Sequence, residues 1–160
     1  MGRKHRIAAI AGAVCATAVL GSCLHSQGIE PQGMAWTSYH TPEEGAKLAY
    51  GAPNSDNVVL MLTCAPGSRE VQLSTHAAGP GKAIILKSGR ADTAIPAVAV
   101  ETGMGHGAYL EATARSTDPA LSAFARTGDL ALVEPGRTLK MKASRAEQAQ
   151  VSAFFQTCQA

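Results

Sequence analysis

From Trp36 onward the chain cannot run far in one regular conformation before a turn residue stops it. Gly, Pro, Asn and Asp recur at short intervals, and the apolar runs between them are of strand length. Residues 47–51 are expected to form a first strand. Gly51-Ala52-Pro53-Asn54-Ser55-Asp56-Asn57 follows as a polar loop. Val58-Val59-Leu60-Met61-Leu62-Thr63-Cys64 is continuously apolar and reads as a central buried strand. After the turn Ala65-Pro66-Gly67-Ser68, residues 70–74 alternate, which sends Val71 and Leu73 inward.

The pattern continues through the middle of the chain. Gly79-Pro80-Gly81 is a turn, and residues 83–86 are an apolar run stopped by Ser88-Gly89. Residues 93–101 are expected to be extended, with Pro96 arguing for an edge position. Gly103-Met104-Gly105-His106-Gly107 turns the chain into residues 108–115, and the two segments are expected to pair as a hairpin. Residues 130–133 and 138–143 flank Pro135-Gly136 as a second hairpin.

Two stretches change period. Asp118-Pro119 supplies an N-cap and a first-position proline, Leu121, Phe124 and Ala125 fall at i, i+3, i+4, and Gly128 can end the helix. Ser144-Arg145-Ala146-Glu147 has the capping-box pattern, with Val151, Phe154, Phe155 and Cys158 on one apolar face. The absence of strand–helix alternation argues against a parallel nucleotide-binding sheet. The expected fold is mainly β: an antiparallel β-sandwich or small open barrel of about eight short strands, with one or two short helices, the C-terminal one packed on the sheet. Hydrophobic content of 46% makes a packed core feasible, but aromatics are only 4%, so Val, Leu, Ile and Ala must supply most of it.

The first residues follow a different logic. MGRKHR is a short basic segment, and residues 7–20 carry no charge. Those 14 residues fit the apolar region of a signal peptide and are too short for a relaxed membrane span, which needs about 20. The run ends in Leu20-Gly21-Ser22-Cys23. This resembles a bacterial lipobox, a resemblance covering residues 1–23. It implies a diacylglyceryl group on the Cys23 thiol, cleavage before Cys23, and commonly acylation of the new amine. One chain holds a membrane marginally and two or three hold it stably. Leu24, where inner-membrane-retained relatives often have Asp, favours the outer membrane, facing the periplasm. The competing readings are secretion after cleavage at Ala16-Thr17-Ala18, export without cleavage, and a cytosolic chain with an apolar start. The domain plan is then a signal peptide over 1–22, a lipidated flexible tether over 23–35, and one β-rich periplasmic domain over 36–160.

That plan sorts the four cysteines. Cys15 leaves with the signal, Cys23 is acylated, and Cys64 and Cys158 remain. In an oxidising compartment this pair is expected to form a structural disulfide. A redox role lacks the Cys-x-x-Cys arrangement. The signal also explains the formal charge of +2: of the 14 Lys and Arg, three lie in residues 1–22, leaving 11 against 12 acids. A near-neutral domain without a basic cluster is not expected to bind nucleic acid.

Chemistry-bearing motifs are few. Gly103-x-Gly105-x-Gly107 precedes a strand and lacks dinucleotide-binding spacing; Gly81-Lys82 lacks the rest of a P-loop; no G-x-S-x-G occurs. His40, His76 and His106 have no metal-like partner nearby in sequence, and Met104 with His106 reads as a turn before it reads as a copper site. Glu43-Glu44 after Pro42 reads as a solvated turn. No cofactor or metal is expected. The best candidate binding loop is Asn54-Ser55-Asp56-Asn57, dense in hydrogen-bonding groups beside the main apolar strand; the same residues suit an Asx-type turn. The body loosely resembles uncharacterised small secreted proteobacterial proteins, through a Cys after an apolar strand and Phe154-Phe155-Gln156-Thr157-Cys158. It resembles more thinly the periplasmic lipoproteins that inhibit lysozyme, through Ser88-Gly89-Arg90 alone; the Tyr expected nearby is absent. The expected function is a membrane-anchored, non-enzymatic binding or interaction domain with an envelope protein partner. A lysozyme inhibitor and an unrecognised hydrolase are the alternatives.

Overall fold

The computed structural model describes residues 28–41, 45–76, 81–101 and 108–160. Among them the chain forms β1 (Ala35–Thr41), β2 (Gly45–Gly51), β3 (Val58–Cys64), β4 (Glu70–His76), β5 (Ala83–Ser88), β6 (Ala91–Glu101), β7 (Ala108–Arg115), α1 (Pro119–Thr127), β8 (Asp129–Glu134), β9 (Arg137–Lys142) and α2 (Arg145–Gln159). The strands make one antiparallel sheet in the order β1-β2-β3-β4-β7-β6-β5-β8-β9. It rolls into a nearly closed barrel, with α2 packed on it. The mainly antiparallel β fold read from the sequence is therefore the observed one.

The expected strand count of about eight falls one short, because β1 was not foreseen. Its sequence is largely polar and only Trp36 is deeply buried, so it offers no alternation. The segment before it is also part of the domain. The Ile29 N–H donates to the Thr138 carbonyl at 2.7 Å, and the Ile29 carbonyl accepts from the Lys140 N–H at 2.8 Å. Ile29 is thus held against β9 and Ala35 belongs to β1, both within the segment 23–35 expected as a tether. Cys23 itself lies outside the described residues.

Two further expectations need correction. Val58–Cys64 is not buried on both faces: Leu60, Leu62 and Cys64 point into the core, while Val59, Met61 and Thr63 are half-buried. Its apolar outer residues imitate a central strand of a parallel sheet. Pro96 is not on a sheet edge either. β6 pairs with β5 over residues 91–96 and with β7 over residues 97–101. The Ala97 N–H donates to Lys82 on the β5 side at 2.9 Å. Alternation then turns the Pro96 nitrogen to the other side, where pairing with β7 has stopped, so its missing N–H breaks no ladder bond. This change of partner lets β5, β6 and β7 fold back so that β7 lies beside β4, a Greek-key arrangement.

The helices follow their capping signals with one substitution. Gly128 ends α1 in the left-handed region at φ 71°, its N–H donating to the Phe124 carbonyl. Asp118 occupies the N-cap, but its carboxylate accepts from the Arg115 N–H, and Thr93 of β6 takes the free N–H of Ala120 instead. In α2 the capping box is complete: the Ser144 N–H donates to Glu147 Oε2 at 2.6 Å, and the Glu147 N–H donates to the Ser144 hydroxyl.

Glu147 also closes the barrel. Its other oxygen accepts from the Trp36 N–H on the open edge of β1 at 3.2 Å, and Gln150 accepts from the Ser38 N–H one step along. Inside this seam the Trp36 indole donates to the Met141 carbonyl of β9 at 3.0 Å. Trp36 packs between Tyr50 and Phe124 with its ring tilted to both, and Phe124 meets Phe155 edge-on. Burial, then the nearby Glu30 and Glu147, raise the Tyr50 phenol above its ordinary range, which keeps a neutral ring in the core. At the far end of α2, Cys158 is bonded to Cys64 with their Cα atoms 5.7 Å apart. The turn after β3 takes up the helix's last carbonyls: Gly67 N–H donates to Thr157 and Arg69 N–H to Cys158.

Two predictions follow from the seam and the staple. The disulfide spans 94 residues, so replacing both cysteines by Ala should lower the unfolding free energy by about 4–5 kcal/mol in the chain-entropy limit. A urea midpoint equal to that of the oxidised protein contradicts this. Glu147→Ala strands two N–H groups and should destabilise by about 1–3 kcal/mol, with Glu147→Gln closer to wild type. Fluorescence of Trp36, the single tryptophan, follows the unfolding of both variants.

Candidate functional site

The sheet register builds a patterned outer face across β3, β4, β7 and β6. Met61 pairs with Ser74, Ser74 with Glu111, and Glu111 with Val98, a straight row over four strands. On one side of it lies the row Thr63, Gln72 and Thr113; on the other lie His76, Tyr109 and Val100. All these residues alternate with core side chains such as Leu62, Leu73 and Leu110, so the inward apolar positions fix the outward ones.

Two adjoining hollows occupy this face. One, of about 540 Å³, is lined by Met61, Thr63, Gln72, Ser74, Val98 and Glu111 among others. The second, of about 390 Å³, is lined by Ser55, Asp56, Val58, Met61, Ser74, Thr75, His76, Tyr109 and Glu111. Met61, Ser74 and Glu111 belong to both, so the hollows form one groove. The His76 and Tyr109 rings lie 4.4 Å apart and make its aromatic end. Val98 is 65% exposed and Val100 42%, values at which apolar side chains are well placed to meet another surface. Asp56 and Glu111 supply carboxylates, and no Lys or Arg lines either hollow. The groove can therefore make ring contacts, apolar contacts and hydrogen bonds, and it suits a partner bearing donors or positive charge.

A bulge sits beneath the groove. The β2–β3 register shifts at Tyr50/Gly51, passing over Val59. The Val59 carbonyl is taken by the Thr75 hydroxyl at 2.7 Å. Thr75 is buried, and this bond satisfies both its hydroxyl and a carbonyl outside the regular ladder.

The loop Asn54–Asn57 is exposed and closes largely on itself. The Ser55 hydroxyl donates to the Ala52 carbonyl and accepts from the Asn57 N–H, while the Ala52 N–H donates to the Asn57 carbonyl. Ser55 and Asp56 reach the rim of the groove; Asn54 and Asn57 are not in its lining. Asn54 holds φ at 57°, which Asn tolerates better than most residues.

The other sequence candidates are scattered. His40 is exposed on β1, two strands removed from His76 on β4, so the sheet does not bring them together. His106 and Met104, the Gly103–Gly105–Gly107 turn, and Glu43 with Glu44 lie outside the described residues. Ser88 is buried, its hydroxyl 3.4 Å from that of Thr127, while Gly89 and Arg90 form the β5–β6 turn. Only the latter two could meet a partner. Among the described residues no three of His, Cys, Asp and Glu are grouped to hold a metal ion. No helix among them is long and apolar enough to cross a membrane. Comparison of the chain with protein-family models, with curated proteins and with solved structures finds no match.

The loop's structural role is testable apart from any ligand. Asn54→Gly should leave stability within about 0.5 kcal/mol, whereas Asn54→Val should cost about 1–2 kcal/mol, from the strain of a left-handed β-branched residue. Equal urea midpoints for the two variants contradict that assignment.

Proposed function

We propose that the protein is an exported lipoprotein, acylated on Cys23, whose barrel is a non-enzymatic binding module for a partner in the bacterial envelope. The observation that carries the binding reading is the groove over β3, β4, β7 and β6. It joins the His76–Tyr109 ring pair to exposed Val98 and to two carboxylates, with exposed Val100 beside Tyr109 and no Lys or Arg among the described residues of its lining. Aromatic and apolar contacts framed by polar groups are the usual anatomy of a recognition surface. The address rests on the basic start, the uncharged run and Leu20-Gly21-Ser22-Cys23. A disulfide between Cys64 and Cys158 suits an oxidising compartment such as the periplasm. Leu24 after the acylated cysteine directs the protein to the outer membrane in this reading.

The anchor and the groove are tested separately. Cys23→Ala should move the protein from the membrane to the soluble or unprocessed fraction and abolish the lipid mass shift. Retention of both properties in the variant overturns the anchor. For the groove, Tyr109→Ala combined with Val98→Glu changes only exposed positions, so the fold should persist. Wild-type protein drawn from a detergent extract should enrich an envelope component at least about tenfold over the double variant, the effect expected when an aromatic anchor is lost. Identical captured sets overturn the groove as the binding face.

A further inference from the structure

A second cavity opens beside the start of β5. It measures about 610 Å³ and is lined by Thr75, His76, Gly81, Lys82, Ala83, Ile84, Ile85, Leu110, Leu132, Val133, Glu134 and Pro135. Its walls are the end of β4, the starts of β5 and β7, and the end of β8. α1 joins the opposite ends of β7 and β8, so the cavity lies at the mouth of the barrel away from that helix. Its floor is core: Ile84, Leu110 and Leu132 are all buried.

The polar groups around this mouth are mostly committed. The Thr75 hydroxyl is bonded to Val59, and Glu134 is paired with Arg137. The His76 ring lies on Tyr109. Lys82 is exposed at the rim and has no ionic partner among the described residues. The result is an apolar slot with one positive charge, unpaired among the described residues, at its entrance. Ligand sites are of this size, apolar with few polar groups, and occur in the mouths of β-barrels.

We propose that this mouth binds a single-chain anionic amphiphile, a fatty acid, with its acyl chain between Ile84, Ile85, Leu110 and Val133 and its carboxylate at Lys82. The site meets the outer-face groove at Thr75 and His76 but opens at the end of the barrel, and it does not depend on the lipid expected on Cys23.

The test uses the full chain in nanodiscs of neutral phospholipid, with three diazirine probes: a fatty acid, its methyl ester, and a diacyl anionic phospholipid. Crosslinks are mapped by mass spectrometry. The fatty acid should label the 82–85, 110 and 132–135 peptides saturably, and the uncharged ester much more weakly. Lys82→Glu should reduce labelling by about three- to fivefold, as expected for one exposed ionic contact. Ile85→Glu, at a partly exposed position, should abolish it, while Asp92→Asn, exposed at the opposite end of the β5–β6 hairpin, should leave it unchanged. Labelling elsewhere, equal labelling by the ester, or preference for the diacyl probe overturns the proposal. Because Cys23→Ala reads membrane attachment and the captured-partner comparison reads protein enrichment, neither of which scores fatty-acid labelling, their failure and this one are distinguishable.

Discussion

The barrel depends on how β1 and β9 are brought together without pairing as strands. A rolled sheet that stops short of closure leaves two rows of backbone groups open to solvent or to another chain. Here one carboxylate takes two duties. Glu147 completes the capping box at Ser144 and accepts from Trp36 on the β1 edge. The start of α2 is thereby set against β1, and the Trp36 indole crosses to Met141 on β9. Ile29 covers β9 with two backbone bonds. The disulfide then holds the other end of α2 to β3, so the helix is fixed at both ends along the seam.

With the seam closed, the remaining strands have little freedom of register. Core side chains alternate through β3, β4 and β7, and a slip of one residue would turn Leu62, Leu73 and Leu110 outward. The same constraint aligns Met61, Ser74, Glu111 and Val98 on the outside. The groove is thus a consequence of core packing combined with the handover at Pro96. β6 leaves β5 there, and Pro96, Ala97 and Val98 line the groove at that point.

Much of this was legible in the sequence, for reasons that also mark where legibility stops. Strands bounded by Gly and Pro with inward Val or Leu, such as β4, announce themselves, and so do helices with caps, such as α2. β1 does not, because an edge strand sealed by helix side chains needs only one buried residue, Trp36. The disulfide was accessible because the export signal expected over 1–22, with acylation of Cys23, would leave only Cys64 and Cys158 as partners for each other. The groove was accessible only at its rim, through Ser55 and Asp56. His76, Tyr109 and Glu111 were each readable as outward residues, but their meeting requires β4 beside β7. That pairing skips two strands, and no local pattern encodes it. The Thr75 bond to Val59 was hidden for a similar reason, since a bulge becomes visible only with its partner strand.

Anchoring and edge closure bear on one another. A domain tied by lipid to a surface meets its neighbours at an effective concentration far above that of a free solute. Exposed strand edges under such crowding invite pairing between copies. The proposed anchor therefore gives a physical reason for the attention the fold spends on its two edges: α2 side chains on β1 and the Ile29 bridge on β9. The bridge has a second effect. Because Ile29 is already bonded to Thr138 and Lys140, only the five residues 24–28 would separate Cys23 from that attachment. Fully extended, they reach roughly 20 Å. In this reading the β9 side of the domain stays close to the lipid surface, and the chain has little slack with which to present its groove elsewhere.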